Sequence, residues 1–224
     1  MTIIDLNDEA GDALVTELGP NTTYVKADVT SVDEVAHALS VAAETGPLRV
    51  AVNCAGIAIG ARTIGRDGEA ASLTHFNRVL QINLVGTYNV SAQAASVMAA
   101  TDPLDHGERG VIVNTASVAA FDGQIGQTAY SASKGGVVGM TLPMARDLSS
   151  VGVRVNTIAP GIIDTPLLGS LNEDIRTALA ANVPFPKRLG TPEDFASLAM
   201  SILGNGYINR ETIRMDGALR MAPK

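Results

Sequence analysis

An α/β fold with a doubly wound parallel sheet is predicted by three features of this sequence. Short β-rich runs alternate with stretches of helical period along the whole chain. Several of the runs are continuously apolar rather than alternating, as strands buried on both faces are. No repeat, low-complexity tract or linker interrupts the 224 residues, so 1–224 read as a single domain.

Each element follows in order. Thr2–Asp5 reads as a short strand, and a helix over Asp8–Leu18 ends at Gly19-Pro20. Thr23–Ala27 is a second strand. Val32, Val35, Leu39 and Val41 keep a helical period behind Ser31, an N-cap with Glu34 three residues on. Arg49–Asn53 is a buried strand. The polar, Gly-rich segment Gly60–Ser72 leads into one long helix over Leu73–Ala100. Gly110–Thr115 is a strand, Thr128–Leu148 a helix and Val153–Ile158 a strand. Thr191–Leu203 is the last helix and Thr212–Met215 the last strand.

Composition removes whole function classes. Sixteen Lys+Arg against 23 Asp+Glu leave a net charge of −7 and no basic stripe, which argues against nucleic acid. The one cysteine, Cys54, excludes an intramolecular disulfide and a cysteine-based zinc site. No apolar run approaches the roughly 18 residues of a membrane span. The acidic start, MTIIDLNDEAGD, lacks the basic region of a signal peptide, so a cytoplasmic protein is expected. Charged residues make up 17%, against a usual quarter or so, which points to surface covered in an oligomer.

In doubly wound sheets ligands bind beyond the carboxyl ends of the strands. Asp5 ends the first strand, where a carboxylate accepts hydrogen bonds from adenosine ribose hydroxyls and repels a 2′-phosphate; a helix-capping role competes evenly. Asp28, after the second strand, faces an adenine or caps a helix. Small residues in Asn53-Cys54-Ala55-Gly56 let backbone approach a ligand, Asn53 can tie neighbouring strands, and Cys54 reads as a small core filler. The glycine-rich phosphate turn expected at the first helix is missing. Four residues precede Asp5, and Leu6-Asn7-Asp8-Glu9 is acidic and glycine-free.

Ser117, Tyr130 and Lys134 form the sharpest constellation. Tyr130 and Lys134 stand i,i+4 at the start of a helix, roughly 5–6 Å apart at Cβ. A phenol titrates near 10 (~10 in model peptides), and a neighbouring ammonium lowers that value. Ser117 ends the preceding strand, where its hydroxyl meets a substrate oxygen.

The NCAG segment at Asn53–Gly56, Asn83 in INLVG, Ser117, YSASK at Tyr130–Lys134, and Pro160-Gly161 followed by Thr165 resemble the short-chain dehydrogenase/reductase family in order and spacing. The resemblance covers essentially the whole chain and implies a Rossmann fold, here lacking its first βα unit. Gly60–Ser72, Gly110–Lys134, Gly139–Leu148, Val183–Gly190 and Asp216–Pro223 resemble the type-2 3-hydroxyacyl-CoA dehydrogenase branch more closely.

The resemblance implies hydride transfer between NAD and a secondary alcohol, most readily a 3-hydroxyacyl-CoA, in fatty acid metabolism by a homotetramer. Tyr130 would be the general acid/base, and Lys134 would lower its pKa and bind the nicotinamide ribose. Ser117 would orient the substrate oxygen, Asn83 would hold a relay water, and Gln124 would line the substrate pocket. On the cofactor, Asp5 would meet the adenosine ribose, Asp28 and Val29 the adenine, and Asn53, Cys54, Ala55 and Gly56 the ribose side. Pro160, Gly161, Ile163 and Thr165 would meet the nicotinamide end.

His37, His75 and His106 are scattered, and no metal site is expected. Leu167–Pro186 reads as a substrate lid, with an ordinary helical cover as the alternative. Gly217–Lys224 reads as a subunit contact or a disordered end. Two other functions compete: the same chemistry on a steroid or sugar alcohol, and a non-catalytic remnant with impaired NAD binding. The missing first strand belongs between the strands ending at Asp5 and Asn53, so poor stability or another segment filling the gap is expected, and with it a natural chain that begins earlier.

Overall fold

The computed structural model describes residues 1–165, 168 and 172–223. Among the described residues, six parallel strands stand in two sheets. Strand β1 (Thr2–Asp5) pairs with β2 (Thr23–Lys26), and β3 (Val50–Asn53), β4 (Gly110–Thr115), β5 (Val153–Pro160) and β6 (Thr212–Met215) pair in that order. The boundary falls between β1 and β3, where the missing strand was expected. Among the described residues, neither strand has a partner on that side.

The uncovered side is legible in burial. Val50 and Val52 stand opposite Val111 and Val113 in the parallel register, so the four share one face. Helix α7 (Pro192–Gly204) covers that face at Val111 and Val113 through Ala199 and Ile202. Over β3, Val50 is 39% exposed and Val52 43%.

On the opposite face, α2 (Val32–Glu44), α4 (Thr87–Ala99) and α5 (Thr128–Asp147) enclose Val35, Leu39, Ala94, Met98, Ile112, Met144 and Val155. Helix α2 packs on both β1 and β2 and also on α4. It is therefore the bridge between the two sheets. α1 (Asp8–Leu18) covers the β1–β2 ribbon. Local chemistry starts these helices as anticipated: the Ser31 hydroxyl accepts from the Glu34 amide at 3.3 Å. Thr191 and Asp194 form a capping box around Pro192.

The long helix expected over Leu73–Ala100 is interrupted. Helix α3 (Leu73–Leu80) widens into a π-helical stretch, Gln81–Gly86, before α4. At its end the Thr87 hydroxyl donates back to the Asn83 carbonyl at 2.8 Å. Gly86 lets the turn sit against Val29; a Cβ there would stand 2.5 Å from Val29 Cγ2.

Within the Leu167–Pro186 stretch, the described part is a helix, α6 (Glu173–Ala181), started by Asn172 and ion-paired through Arg176 to Asp164. Residues 166, 167 and 169–171 lie outside the described residues, as does Lys224.

Candidate active site

A cavity of about 870 Å³ opens at the carboxyl ends of the strands, within the usual size of a small-molecule site. Asp5 lines it from β1, Cys54 and Gly56 from the loop after β3, and Thr115 and Ser117 from the end of β4. Tyr130 and Lys134 enter from the first turns of α5, and Pro160, Gly161, Ile163 and Thr165 from the end of β5. The constellation legible in the sequence is thus brought to one place.

Backbone and buried polar groups fix its parts. Lys134, 4% exposed, donates from Nζ to the Thr115 carbonyl at 2.7 Å, and Nζ stands 5.9 Å from the centre of the Tyr130 ring. Ser117 caps the short 3-10 turn Val118–Ala120 by accepting from the Ala119 amide at 3.1 Å. Asn83 is fully buried. Its Oδ1 accepts from the Ile57 amide at 2.8 Å, and its Nδ2 donates to the Ile57 carbonyl at 2.9 Å and to Ser133 Oγ at 3.1 Å. Ser133 in turn donates to the Tyr130 carbonyl at 2.7 Å. The π-helical stretch, the loop after β3 and the catalytic helix are therefore tied through one amide. Gly56 fits between Asn83 and Lys134: a Cβ there would stand 3.2 Å from Asn83 Oδ1 and 3.6 Å from Lys134 Nζ.

Burial dominates the titration of both central groups. It pushes the Tyr130 phenol above its ordinary value, while the Ser117 hydroxyl beside it pulls the other way. It pushes the Lys134 ammonium down to about 8, opposed by Cys54. At Tyr130 the causes of the shift are burial and Ser117, while the Lys134 ammonium donates to the Thr115 carbonyl 5.9 Å from the centre of the ring.

Several expected cofactor contacts lie elsewhere. Asn53 does not line the cavity; its Nδ2 donates to Asn114 Oδ1 at 2.8 Å and Ser91 Oγ at 3.0 Å, tying β3 to β4 and α4. Asp28 does not cap the helix, whose N-cap is Ser31, but closes a turn by accepting from the Thr30 amide and hydroxyl at 2.8 Å each. Val29 packs on Gly86 and accepts from Asn89, and neither it nor Ala55 lines the cavity. Cys54 is exposed at the cavity, with the Thr115 hydroxyl 3.6 Å from its sulfur, so the core-filler reading fails. Gln124 lines the cavity as anticipated.

Leu168 and Leu179, from the stretch read as a lid or helical cover, join Ile162, Phe195 and Met221, which the sequence did not mark, in an apolar wall, and Gln127 supplies a polar one. Gln127 accepts from the Gln124 amide at 2.9 Å. No local pattern marks Ile162, Phe195, Met221 or Gln127, because two loops, α7 and the chain's end bring them together. The last of these belongs to Gly217–Lys224, whose described part packs on this chain's own site. Among the described residues, no group of three or more His, Cys, Asp or Glu is placed to hold a metal, and no helix is long and apolar enough to cross a membrane.

For the NAD that the resemblance implies, the two ends fit. An exposed carboxylate at Asp5 and a buried ammonium at Lys134 line one cavity, and Gly56 leaves the backbone bare between Asn83 and Lys134.

Comparisons with known proteins agree with this geometry. A family model described as short chain dehydrogenase matches residues 1–176. The chain is 52% identical over 223 residues to 3-hydroxyacyl-CoA dehydrogenase type-2 of Homo sapiens, covering 99% of this chain and 85% of that protein. It is 33% identical to an acetoacetyl-CoA reductase of Allochromatium vinosum over 87% of this chain and 76% of the other. The crystal structure of 3-hydroxyacyl-CoA dehydrogenase type-2 from Mycobacterium avium superposes with a TM-score of 0.96 at 50% identity, over 100% of this chain and 87% of that one.

Proposed function

The chain belongs to the short-chain dehydrogenase family, and from that premise we propose that it oxidises the 3-hydroxyl of a 3-hydroxyacyl-CoA to the ketone with NAD. The observation that carries this reading is one cavity lined at once by Ser117, Tyr130 and Lys134 and by the strand-end carboxylate Asp5. NAD, when bound, supplies the hydride acceptor.

The protein's own groups do the rest. Ser117 holds the substrate oxygen beside the Tyr130 phenol. Tyr130 takes the hydroxyl proton as the carbonyl forms and returns it in the reverse direction. A phenol pushed up by burial needs positive charge nearby to act as a base at neutral pH. Lys134 provides that charge and binds a ribose hydroxyl. Asn83 steadies the arrangement through Ser133 and Ile57, and holds the relay water that feeds protons past Lys134. Ile163 and Thr165 orient the carboxamide, and Asp5 selects NAD over NADP. The apolar wall of Ile162, Leu168, Leu179 and Phe195 receives an acyl chain, while the thioester's bulk leaves through the open side.

We read the working form as a cytoplasmic homotetramer in fatty acid metabolism. The low charge fraction and exposed apolar side chains such as Tyr88, 55% exposed, support a covered surface. A second reading, a folded chain with impaired NAD binding, draws on the acidic residues Asp8 and Glu9 that open the helix after Asp5.

Following NADH formation at saturating 3-hydroxybutyryl-CoA tests both. Turnover should appear in the parent chain and fall by about 10²-fold or more in Tyr130→Phe, with NAD binding kept. An unchanged rate in Tyr130→Phe would remove the acid/base assignment. A folded chain that binds no NAD would establish the second reading.

A further inference from the structure

The chain's last residues close the cavity, and a cluster of charges holds them there. Arg214, on β6, donates from Nη2 to Asp122 Oδ2 at 2.6 Å and from Nε to Asp216 Oδ2 at 2.8 Å. Its Nη2 also reaches the Leu219 carbonyl at 3.2 Å. Arg220 joins the same Asp216 oxygen at 3.1 Å. The Arg214 guanidinium lies 5.1 Å from the centre of the Phe121 ring. The cluster is not a loose surface pair: the side chains of Asp216, Arg214 and Asp122 are 7%, 21% and 25% exposed. Charges so enclosed hold position better than exposed ones.

What the cluster joins is more telling. Asp122 begins the loop 122–127 that carries Gln124 and Gln127 into the cavity just ahead of Tyr130. Two further bonds fasten that loop to the tail: Gln124 Nε2 donates to the Ala222 carbonyl at 2.9 Å, and the Ile125 amide donates to the Pro223 carbonyl at 3.0 Å. Between these anchors Met221 lines the cavity. On the other side, the turn at Asp216 rests on Gly161, whose amide donates to the Met215 carbonyl at 2.9 Å; a Cβ at Gly161 would stand 2.9 Å from Asp216 Cα. One guanidinium therefore ties together the loop ahead of Tyr130, the loop after β5 and the C-terminal tail.

We propose that Gly217–Pro223 is the removable wall of the substrate pocket, latched by Arg214 to Asp122 and Asp216, and that Met221 on it limits the acyl chain the site accepts. Arg214 is a positioning residue. Its planar fork aims separate N–H groups at the two carboxylates in fixed directions, which a lysine's flexible stem does not pre-set. The inference rests on the acyl-CoA reading for its substrate, but the latch itself does not.

Two measurements separate those claims. The first is trypsin cleavage after Arg220, followed by mass spectrometry as loss of Met221–Lys224. Cleavage needs the tail to lift off, so Arg214→Gln and Asp122→Asn should be cut at least about tenfold faster than the parent chain. The second is the ratio of kcat/KM for 3-hydroxyoctanoyl-CoA over 3-hydroxybutyryl-CoA. Met221→Ala should raise that ratio about fivefold, mainly through KM, with the tail still protected; pocket contacts of this size discriminate by about 10-fold or more when fully lost. Arg214→Lys should restore protection only in part, and Arg214→Gln should raise KM for both substrates more than it lowers kcat.

Parental cleavage rates in both Arg214→Gln and Asp122→Asn would overturn the latch, and an unchanged ratio in Met221→Ala would overturn the wall. If Arg214→Gln does not fold, Asp122→Asn and Met221→Ala decide alone. Fast cleavage of the variants in a protein that turns over neither thioester would leave the latch standing and remove the acyl-CoA reading instead.

Discussion

Lys134 should destabilise the protein it serves. Its side chain is 4% exposed, and burial brings its pKa from 10.5 to about 8. At about 1.4 kcal/mol per pH unit, holding the ammonium inside costs the folded state on the order of 3 kcal/mol at neutral pH. Below pH 8 folded and unfolded chains are both protonated and the full cost is present. Between pH 8 and 10.5 the unfolded chain keeps a proton that the folded one has released, so this contribution improves as pH rises. Lys134→Met removes the cost but leaves the Thr115 carbonyl without its donor, which returns about 1–3 kcal/mol. The variant should therefore match or exceed the parent by roughly 0–2 kcal/mol at pH 7 while losing nearly all turnover. The assay is urea unfolding of both proteins at pH 7, 9 and 10.5. Other titrating groups cancel in the difference between them, and that difference should fall by about 3 kcal/mol over the range. A difference constant to within about 0.5 kcal/mol would falsify the claim that Lys134 is a charge held in place against solvation.

Two further substitutions probe the site from its ends. Asn83→Ala strands the Ile57 amide and carbonyl, so it should cost about 2–4 kcal/mol, readable as a lower thermal midpoint, and reduce kcat by loosening α5. Retention of both midpoint and rate would show that the π-helical stretch does not position Tyr130. Asp5→Asn removes the carboxylate at the adenosine end, so the affinity ratio of NADP to NAD should rise roughly tenfold by titration. An unmoved ratio would put cofactor choice on other residues.

The parts of this site that were legible are those whose chemistry is local. Tyr130 and Lys134 stand one helical turn apart, so their meeting follows from helix geometry alone. Ser117 and Gly161 follow strands, and in a parallel sheet all strand ends lie on one rim. Being at the rim does not decide which way a side chain points. Asn53 ends β3 yet donates across to Ser91 on α4 and Asn114 on β4, while Asp28 accepts from the Thr30 amide two residues on, as short carboxylates do with nearby backbone donors. The π-helical stretch left no trace in Leu73–Ala100, since its apolar spacing is also that of an α-helix; the cause lies in Ile57 and Ser133, far along the chain. Met221 was hidden for the same reason. What makes it a wall residue is Arg214 reaching Asp122, a pairing no sequence window contains.

The break between the sheets gives the two ends of the cavity different standing. Ser117 and Lys134 rest on β4, β5 and α5, where Ile112, Val137, Val155 and Ile158 are fully buried. Asp5 belongs to a ribbon that shares no ladder with those strands among the described residues. Its distance from Lys134 is set by α2, whose Val35 and Leu39 lie against α4. Backbone ladders fix spacing through directional bonds repeated at every residue, whereas helix-to-helix packing leaves room to slide. The catalytic end is therefore spaced by ladder bonds, and Asp5, among the described residues, by helix packing.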